Sequence, residues 1–78
     1  MLIKVLGPGC KNCVNLEKNV REALALLNLD AEVEKVTGYA DIMAHGVMST
    51  PGLVIDGDVV SYGRVPTPGQ IVELIRAR

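Results

Sequence analysis

Gly7-Pro8-Gly9-Cys10-Lys11-Asn12-Cys13 stands between a short apolar run, Leu2-Ile3-Lys4-Val5-Leu6, and a stretch whose apolar residues recur at helical spacing. The run reads as a buried strand, ended by the breakers Gly7-Pro8-Gly9. From the second cysteine onward, Cys13, Leu16, Val20, Ala23, Leu24 and Leu27 fall on one face of a helix of about four turns, ending near Asn28. On its other face Glu17 precedes Arg21 by four residues, the orientation that supports a helix. A strand, a tight loop and an amphipathic helix therefore meet at the cysteine pair.

Working outward, Ala31-Glu32-Val33-Glu34-Lys35-Val36 alternates apolar and charged residues at its start, which predicts a strand with one wetter face. Thr37-Gly38 breaks it. Tyr39 to His45 reads as a short helix stopped by Gly46, and Pro51 fixes a bend before the strand Leu53-Val54-Ile55. Asp56-Gly57 between apolar runs is a strong hairpin signal, with Val59-Val60-Ser61-Tyr62 as the returning strand. Thr67 as cap, Pro68 at the first position and Gln70 reaching back start a closing helix with Ile71, Leu74 and Ile75 on its apolar face. The order is β-α-β-α-β-β-α. Its strand–helix–strand opening calls for a parallel pair with a right-handed crossover, and the hairpin adds an antiparallel edge. The fold class is α/β, a mixed four-stranded sheet flanked by three helices, in one domain spanning residues 1–78. There is no internal repeat, linker or low-complexity segment.

Composition narrows the function. With 78 residues the chain buries only roughly 60–65% of the surface its unfolded form exposes. It has no Phe or Trp and only Tyr39 and Tyr62, so the core must be aliphatic, and 49% hydrophobic residues suffice to build one. That level, beside 22% charged residues, excludes a disordered tail. Eight basic and nine acidic residues leave a formal charge of −1, too little positive charge for nucleic acid. No stretch approaches the ~20 apolar residues that cross a bilayer, and Met1-Leu2-Ile3-Lys4-Val5-Leu6 is too short for a secretory signal. The expectation is a cytoplasmic monomer that binds neither nucleic acid nor membrane.

Cys10 and Cys13 are the informative pair. A structural disulfide would normally close a longer loop, so in a reducing compartment the pair reads as catalytic, redox-sensing or metal-binding. Cys10 falls at the helix N-terminus, where free N–H groups and the helix dipole favour a thiolate, and Lys11 adds a positive charge that tunes its pKa the same way. Cys13 falls a turn later on the inward face. Cys10 is then the exposed nucleophile and Cys13 the shielded thiol that resolves a mixed disulfide. The bland reading is two ordinary small helix residues. Zinc needs four ligands, and only His45 remains to help. Copper(I) accepts two thiolates, which keeps a metallochaperone open, as does a binding module that uses the disulfide as a switch. The redox reading needs no cofactor and no metal.

A second element is Met48-Ser49-Thr50-Pro51-Gly52. By itself it reads as a helix exit and an edge-strand proline. If the following strand runs beside the first, this loop approaches the cysteines. A cis Thr50-Pro51 bond would then present the Thr50 backbone to a substrate chain for strand-like pairing, with Ser49 and Met48 lining the groove. His45 near a helix end complements the dipole. Met43 and Met48 read as core or groove filling. Tyr39 and Tyr62 read as half-buried packing residues, and Arg64, Arg76 and Arg78 as a weak basic end.

Gly-Pro-Gly-Cys-Lys-Asn-Cys after the first strand, Ser-Thr-Pro-Gly-Leu-Val-Ile-Asp-Gly at the hairpin and the terminal helix together resemble the thioredoxin superfamily. Within it the chain is most similar to the very small "redox-active disulfide" proteins of archaea and anaerobic bacteria. The likeness spans roughly residues 2 to 77. It implies a thioredoxin-like fold and a thiol–disulfide oxidoreductase acting on disulfide-containing proteins, with Cys10 as nucleophile, Cys13 as resolving thiol and Thr50-Pro51 as a cis-proline platform. No Trp precedes Cys10, and Lys11-Asn12 replaces the Gly-Pro of thioredoxins and the Pro-Tyr of many glutaredoxins. Glutaredoxins hold glutathione with a Gly-Gly and a downstream Asp. Here Gly63-Arg64-Val65-Pro66 follows the last strand, which argues against glutathione and for a flavin-dependent reductase of the thioredoxin-reductase type. No residue matches the buried carboxylate that serves thioredoxins as proton acceptor. Heavy-metal-associated domains also set C-x-x-C before an amphipathic helix, but they carry Met where this chain has Pro8 and end on a strand.

Overall fold

The computed structural model describes residues 1–78. Its elements follow the order β1 (Leu2–Leu6), α1 (Lys11–Leu26), β2 (Glu32–Val36), α2 (Tyr39–Ala44), β3 (Gly52–Ile55), β4 (Asp58–Tyr62) and α3 (Pro68–Arg76). The expected β-α-β-α-β-β-α arrangement holds. The strands form one sheet in the order β2-β1-β3-β4. β1 and β2 are parallel, as the α1 crossover requires, whereas β3 runs antiparallel to β1 and β4 antiparallel to β3. The β1–β3 register sets Leu6 opposite Gly52, so the chain entering β3 arrives beside the chain leaving β1.

Period-two alternation splits the sheet's side chains between two apolar layers. Ile3, Val5, Leu53 and Ile55 face α1 and α3 and join Leu16, Val20, Ala23, Leu24, Ile71 and Ile75 in a cluster of ten buried residues. Leu6 and Val54 face the other way and meet Ile42 of α2 and Val47 in a cluster of four. Both layers are wholly aliphatic. The tyrosines depart from expectation: Tyr39 is 67% and Tyr62 61% exposed, not half-buried. Met43 is exposed as well. α2 has only six residues and buries Ile42 alone, so its remaining side chains have nothing to pack against. Tyr62 ends an edge strand.

Local signals set the element ends. Asp56 (φ 48°) and Gly57 (φ 88°) both take the left-handed conformation that a tight hairpin turn requires. The Asp56 carboxylate also accepts a hydrogen bond from the Leu2 N–H at 2.8 Å, tying the hairpin to the start of β1. At α3, Thr67 Oγ1 accepts from the Gln70 N–H at 3.1 Å, and Gln70 Oε1 accepts from the Thr67 N–H at 2.9 Å. This is a complete capping box with Pro68 in the first turn. His45 caps the end of α2, its Nδ1 donating to the Asp41 carbonyl at 2.8 Å. At the basic end, Arg78 pairs with Asp58 at 2.7 Å. No helix is long and apolar enough to cross a membrane.

Candidate active site

The Gly7-Pro8-Gly9 loop carries the chain from β1 to Cys10, which is the N-cap of α1 with extended backbone (φ −65°, ψ 166°). Cys10 and Cys13 are joined by a disulfide, their Cα atoms 5.0 Å apart. The Cys13 N–H donates to Cys10 Sγ at 3.2 Å, and the Val14 N–H donates to the Cys10 carbonyl at 3.0 Å. Helix start and redox pair are thus one structure: the first cysteine's sulfur occupies the place of a capping oxygen. The partners differ in access. Cys10 is exposed, and Cys13 keeps 5% of its surface. Lys11 is the exposed first residue of α1.

Gly7 is where the distant pieces meet. A β-carbon built on it would collide with Cys13 Sγ and stand 3.9 Å from the Thr50 Cβ. The Leu6–Gly52 register explains the approach, since Pro51 precedes Gly52 as Gly7 follows Leu6 on the antiparallel neighbour. The Thr50–Pro51 peptide bond is cis. Pro51 is buried, and its carbonyl accepts the Gly63 N–H at 2.9 Å. Gly63 (φ 73°) leaves its missing β-carbon 3.3 Å from the Ser49 Cβ, so the start of the β4–α3 connection closes against the same loop. Thr50 is half-buried and Ser49 exposed. Met48 is 96% exposed, so of its two expected roles core filling is excluded.

Beside Cys13 lies a small cavity of about 40 Å³, lined among others by Val5, Gly7, Glu17, Lys35 and Thr37. The Glu17 side chain is 16% exposed and its carboxylate lies 3.1 Å from Lys35 Nζ and 3.0 Å from Arg21. Burial pushes the Glu17 pKa up. Hydrogen bonds from Lys35 and Arg21, with their charges, outweigh it and hold the carboxyl below its ordinary 4.5. Sequence reasoning assigned Glu17 only helix support through Arg21 and missed its place beside Cys13. The available signal was Lys35, a charge in the slot that the Ala31-Val33 alternation assigns to an apolar side chain. A larger cavity, about 580 Å³, opens between β4 and α3 against Ser61, Tyr62, Arg64 and Glu73. It shares no residue with the cysteines or with residues 48–51, so it is not where the sulfur chemistry occurs.

No three His, Cys, Asp or Glu side chains converge in a group that could hold a metal ion. The chain closes on α3, not on the strand that a heavy-metal-associated order would require.

A model of the thioredoxin domain matches residues 1–76. A thioredoxin of Methanothermobacter thermautotrophicus is 41% identical over 75 residues, covering 96% of this chain and 97% of that protein. A thioredoxin of Methanocaldococcus jannaschii is 35% identical over 77 residues, covering 99% of this chain and 88% of its own. With a four-stranded mixed sheet, a cysteine pair at the head of α1 and relatives aligned along almost their whole length, the chain belongs to the thioredoxin family and is a thiol–disulfide oxidoreductase.

Proposed function

We propose that the protein reduces disulfides in other proteins by dithiol exchange and is itself re-reduced by a flavin-dependent, thioredoxin-reductase-type partner. Cys10 attacks, Cys13 resolves, and Lys11 supports the Cys10 thiolate. The loop Met48-Ser49-Thr50-Pro51 receives the substrate chain, with the Thr50 backbone offered for strand-like pairing. The observation that carries this reading is the unequal exposure of the two sulfurs at one helix N-terminus. Cys10 is open to solvent with a backbone N–H already directed at its sulfur, while Cys13 is shielded beneath it. A thiolate at Cys10 would keep that hydrogen bond and the favourable end of the helix dipole. Glutathione is a poor fit as electron donor, because Gly63-Arg64-Val65-Pro66 offers no carboxylate for its amino group. The protein is proposed to work as a cytoplasmic monomer without cofactor or metal.

The balance of the exchange is simple. The Cys10 thiolate attacks one sulfur of the substrate disulfide, and the other leaves with the electron pair and takes up a proton. Cys13 then displaces the bound sulfur from Cys10, which restores the Cys10–Cys13 disulfide and releases the second substrate thiol. Redox titration in defined thiol/disulfide buffers, with free thiols counted by alkylation and mass, tests the reading. One reversible two-electron transition at or below thioredoxin's ~−270 mV is the expected result. In parallel, Cys13→Ser should accumulate mixed disulfides with substrates and Cys10→Ser should be inert. Failure to form the internal disulfide reversibly would overturn the redox reading, with copper(I) binding the next assay.

A further inference from the structure

We propose that the outer edge of β4 and the adjoining side of α3 form a docking groove for an extended segment of a partner protein. The segment adds to the sheet as a fifth strand, with an acidic side chain at Arg64 and a basic one at Glu73. The inference goes beyond the exchange reaction, since the groove holds neither cysteine.

The two edges of the sheet are unlike. In the order β2-β1-β3-β4 each outer strand carries backbone N–H and C=O groups with no ladder partner. Glu32, Glu34 and Lys35 crowd the β2 edge with charge, which discourages pairing. β4 instead offers Val59-Val60-Ser61-Tyr62, four uncharged residues of which three favour strands. A register shift leaves Val60 as the extra residue between Val59, opposite Val54, and Ser61, opposite Leu53. Such a bulge keeps the available edge short, enough for a few residues and too little for an open-ended sheet.

Only β4 has α3 running back beside it. The chain turns at Pro66, and Arg78, just past α3, pairs with Asp58 at the start of β4 at 2.7 Å. Between them lies the cavity of about 580 Å³, within the size of ligand clefts. Val59 to Tyr62 line one wall and Gln70, Glu73 and Leu74 the other. Side chains of a strand alternate between faces, so a cavity touching four consecutive residues opens on the strand's edge. An occupant there meets main chain as well as side chains, the setting for strand addition. Four residues of strand span about 13 Å, room for four or five residues of extended chain.

Charge selects the occupant. Arg64 at the upper end and Glu73 on the α3 wall are both exposed, and neither belongs to an ion pair. Between them the lining is apolar, with Val60, Pro66 and Leu74. A segment antiparallel to β4 thus sets an acidic, an apolar and a basic side chain inward at alternate positions. The Ser61 hydroxyl, also on this wall, is buried without a hydrogen-bond partner, a deficit that an added strand can relieve. A second copy paired through its own β4 would bring Val59 to Tyr62, which carry no cation for Glu73. The upper end adjoins the loop assigned to substrate, because Gly63, between Tyr62 and Arg64, closes against Ser49. A partner held in the groove therefore stays beside the cysteines.

The probe is a blocked pentapeptide without cysteine, Asp-Thr-Val-Thr-Lys, titrated into the oxidised protein and followed by backbone amide chemical shifts and hydrogen exchange. Saturable shifts should centre on Val59 to Tyr62, Arg64 and the facing residues of α3, with slower exchange of the outward β4 amides. Methylating alternate backbone nitrogens of the peptide should abolish binding in one phase and spare it in the other, because only alternate N–H groups face the neighbouring strand. Arg64→Glu combined with Glu73→Arg, both at exposed positions, should weaken this peptide by about fivefold and favour the charge-exchanged Lys-Thr-Val-Thr-Asp by a similar factor. Absence of saturable shifts at millimolar peptide, shifts centred elsewhere, or no change of preference in the double variant would each overturn the inference. So would a dimer joined through β4 on sedimentation. None of these readouts involves Cys10 or Cys13, so the redox titration stands or fails separately.

Discussion

Between Gly7 and the Cys13 sulfur there is no room for a β-carbon. Gly7 cannot retreat, because its N–H is held by the Val36 carbonyl at 2.8 Å on the neighbouring strand. The glycine before Pro8 is therefore required by proximity and not by an unusual backbone angle.

Gly7→Ala should consequently lower stability by about 1–3 kcal/mol, the usual cost of overpacking a close contact. Denaturant unfolding of the oxidised protein measures it. The displaced Cys13 should also close its disulfide more slowly, read as thiol disappearance after addition of oxidant. Wild-type values for both would mean that β1 and α1 can part at no cost.

In the reduced protein, Cys10 should alkylate at least about tenfold faster than Cys13 at neutral pH. It is exposed, caps a helix and receives an N–H on its sulfur, each of which favours a reactive thiolate. Brief labelling followed by peptide mass analysis separates the two sites. Equal rates would contradict the assignment of attacking and resolving roles.

Thr67→Ala removes one half of the α3 capping box and should cost about 1 kcal/mol, within the range for lost N-caps. The redox titration should not move, since Thr67 starts a helix remote from the cysteines in the chain. A changed midpoint potential would show that α3 communicates with the sulfur site.

Glu17 gives acid sensitivity a defined sign. Its carboxyl binds a proton less tightly in the folded protein than in the unfolded chain. The stability this contributes is fully present above the ordinary value of 4.5 and is lost as pH falls through the lowered folded value. Unfolding curves of wild type and Glu17→Gln should therefore differ most at neutral pH and converge in acid. A gap that widens on acidification would reverse the assigned shift.

Much of this was legible from spacing alone. The α1 face, the Asp56-Gly57 turn and the Thr67-Pro68-Gln70 cap are local signals, each settled by a few neighbouring residues. That Pro51 comes beside the cysteine loop required only that β3 pair with β1. For the Glu17–Lys35 contact the sequence offered only the misplaced charge of Lys35, and the identity of its partner was not legible, because it depends on the β1–β2 register across a whole crossover. Nor was the Asp56 carboxylate at the Leu2 N–H, a contact between residues 54 positions apart. Tyr39 and Met43 misled because apolar character suggested burial, whereas a six-residue helix anchored by Ile42 has no second face to cover.

The two apolar layers are unequal, ten buried residues on the α1–α3 side against four on the α2 side. Opening the thinner layer exposes far less apolar surface, so α2 and the loop after it can detach without global unfolding. Amide hydrogens of α2 should accordingly exchange with solvent long before those of β1 and α1. The sulfur pair sits at the junction of β1 and α1, in the half expected to exchange slowly, while the segment leading into Pro51 follows α2, in the half expected to exchange fast. Exchange of that pattern would direct breathing to one side of the cysteines, and a bulky partner would meet a yielding flank beside a rigid one.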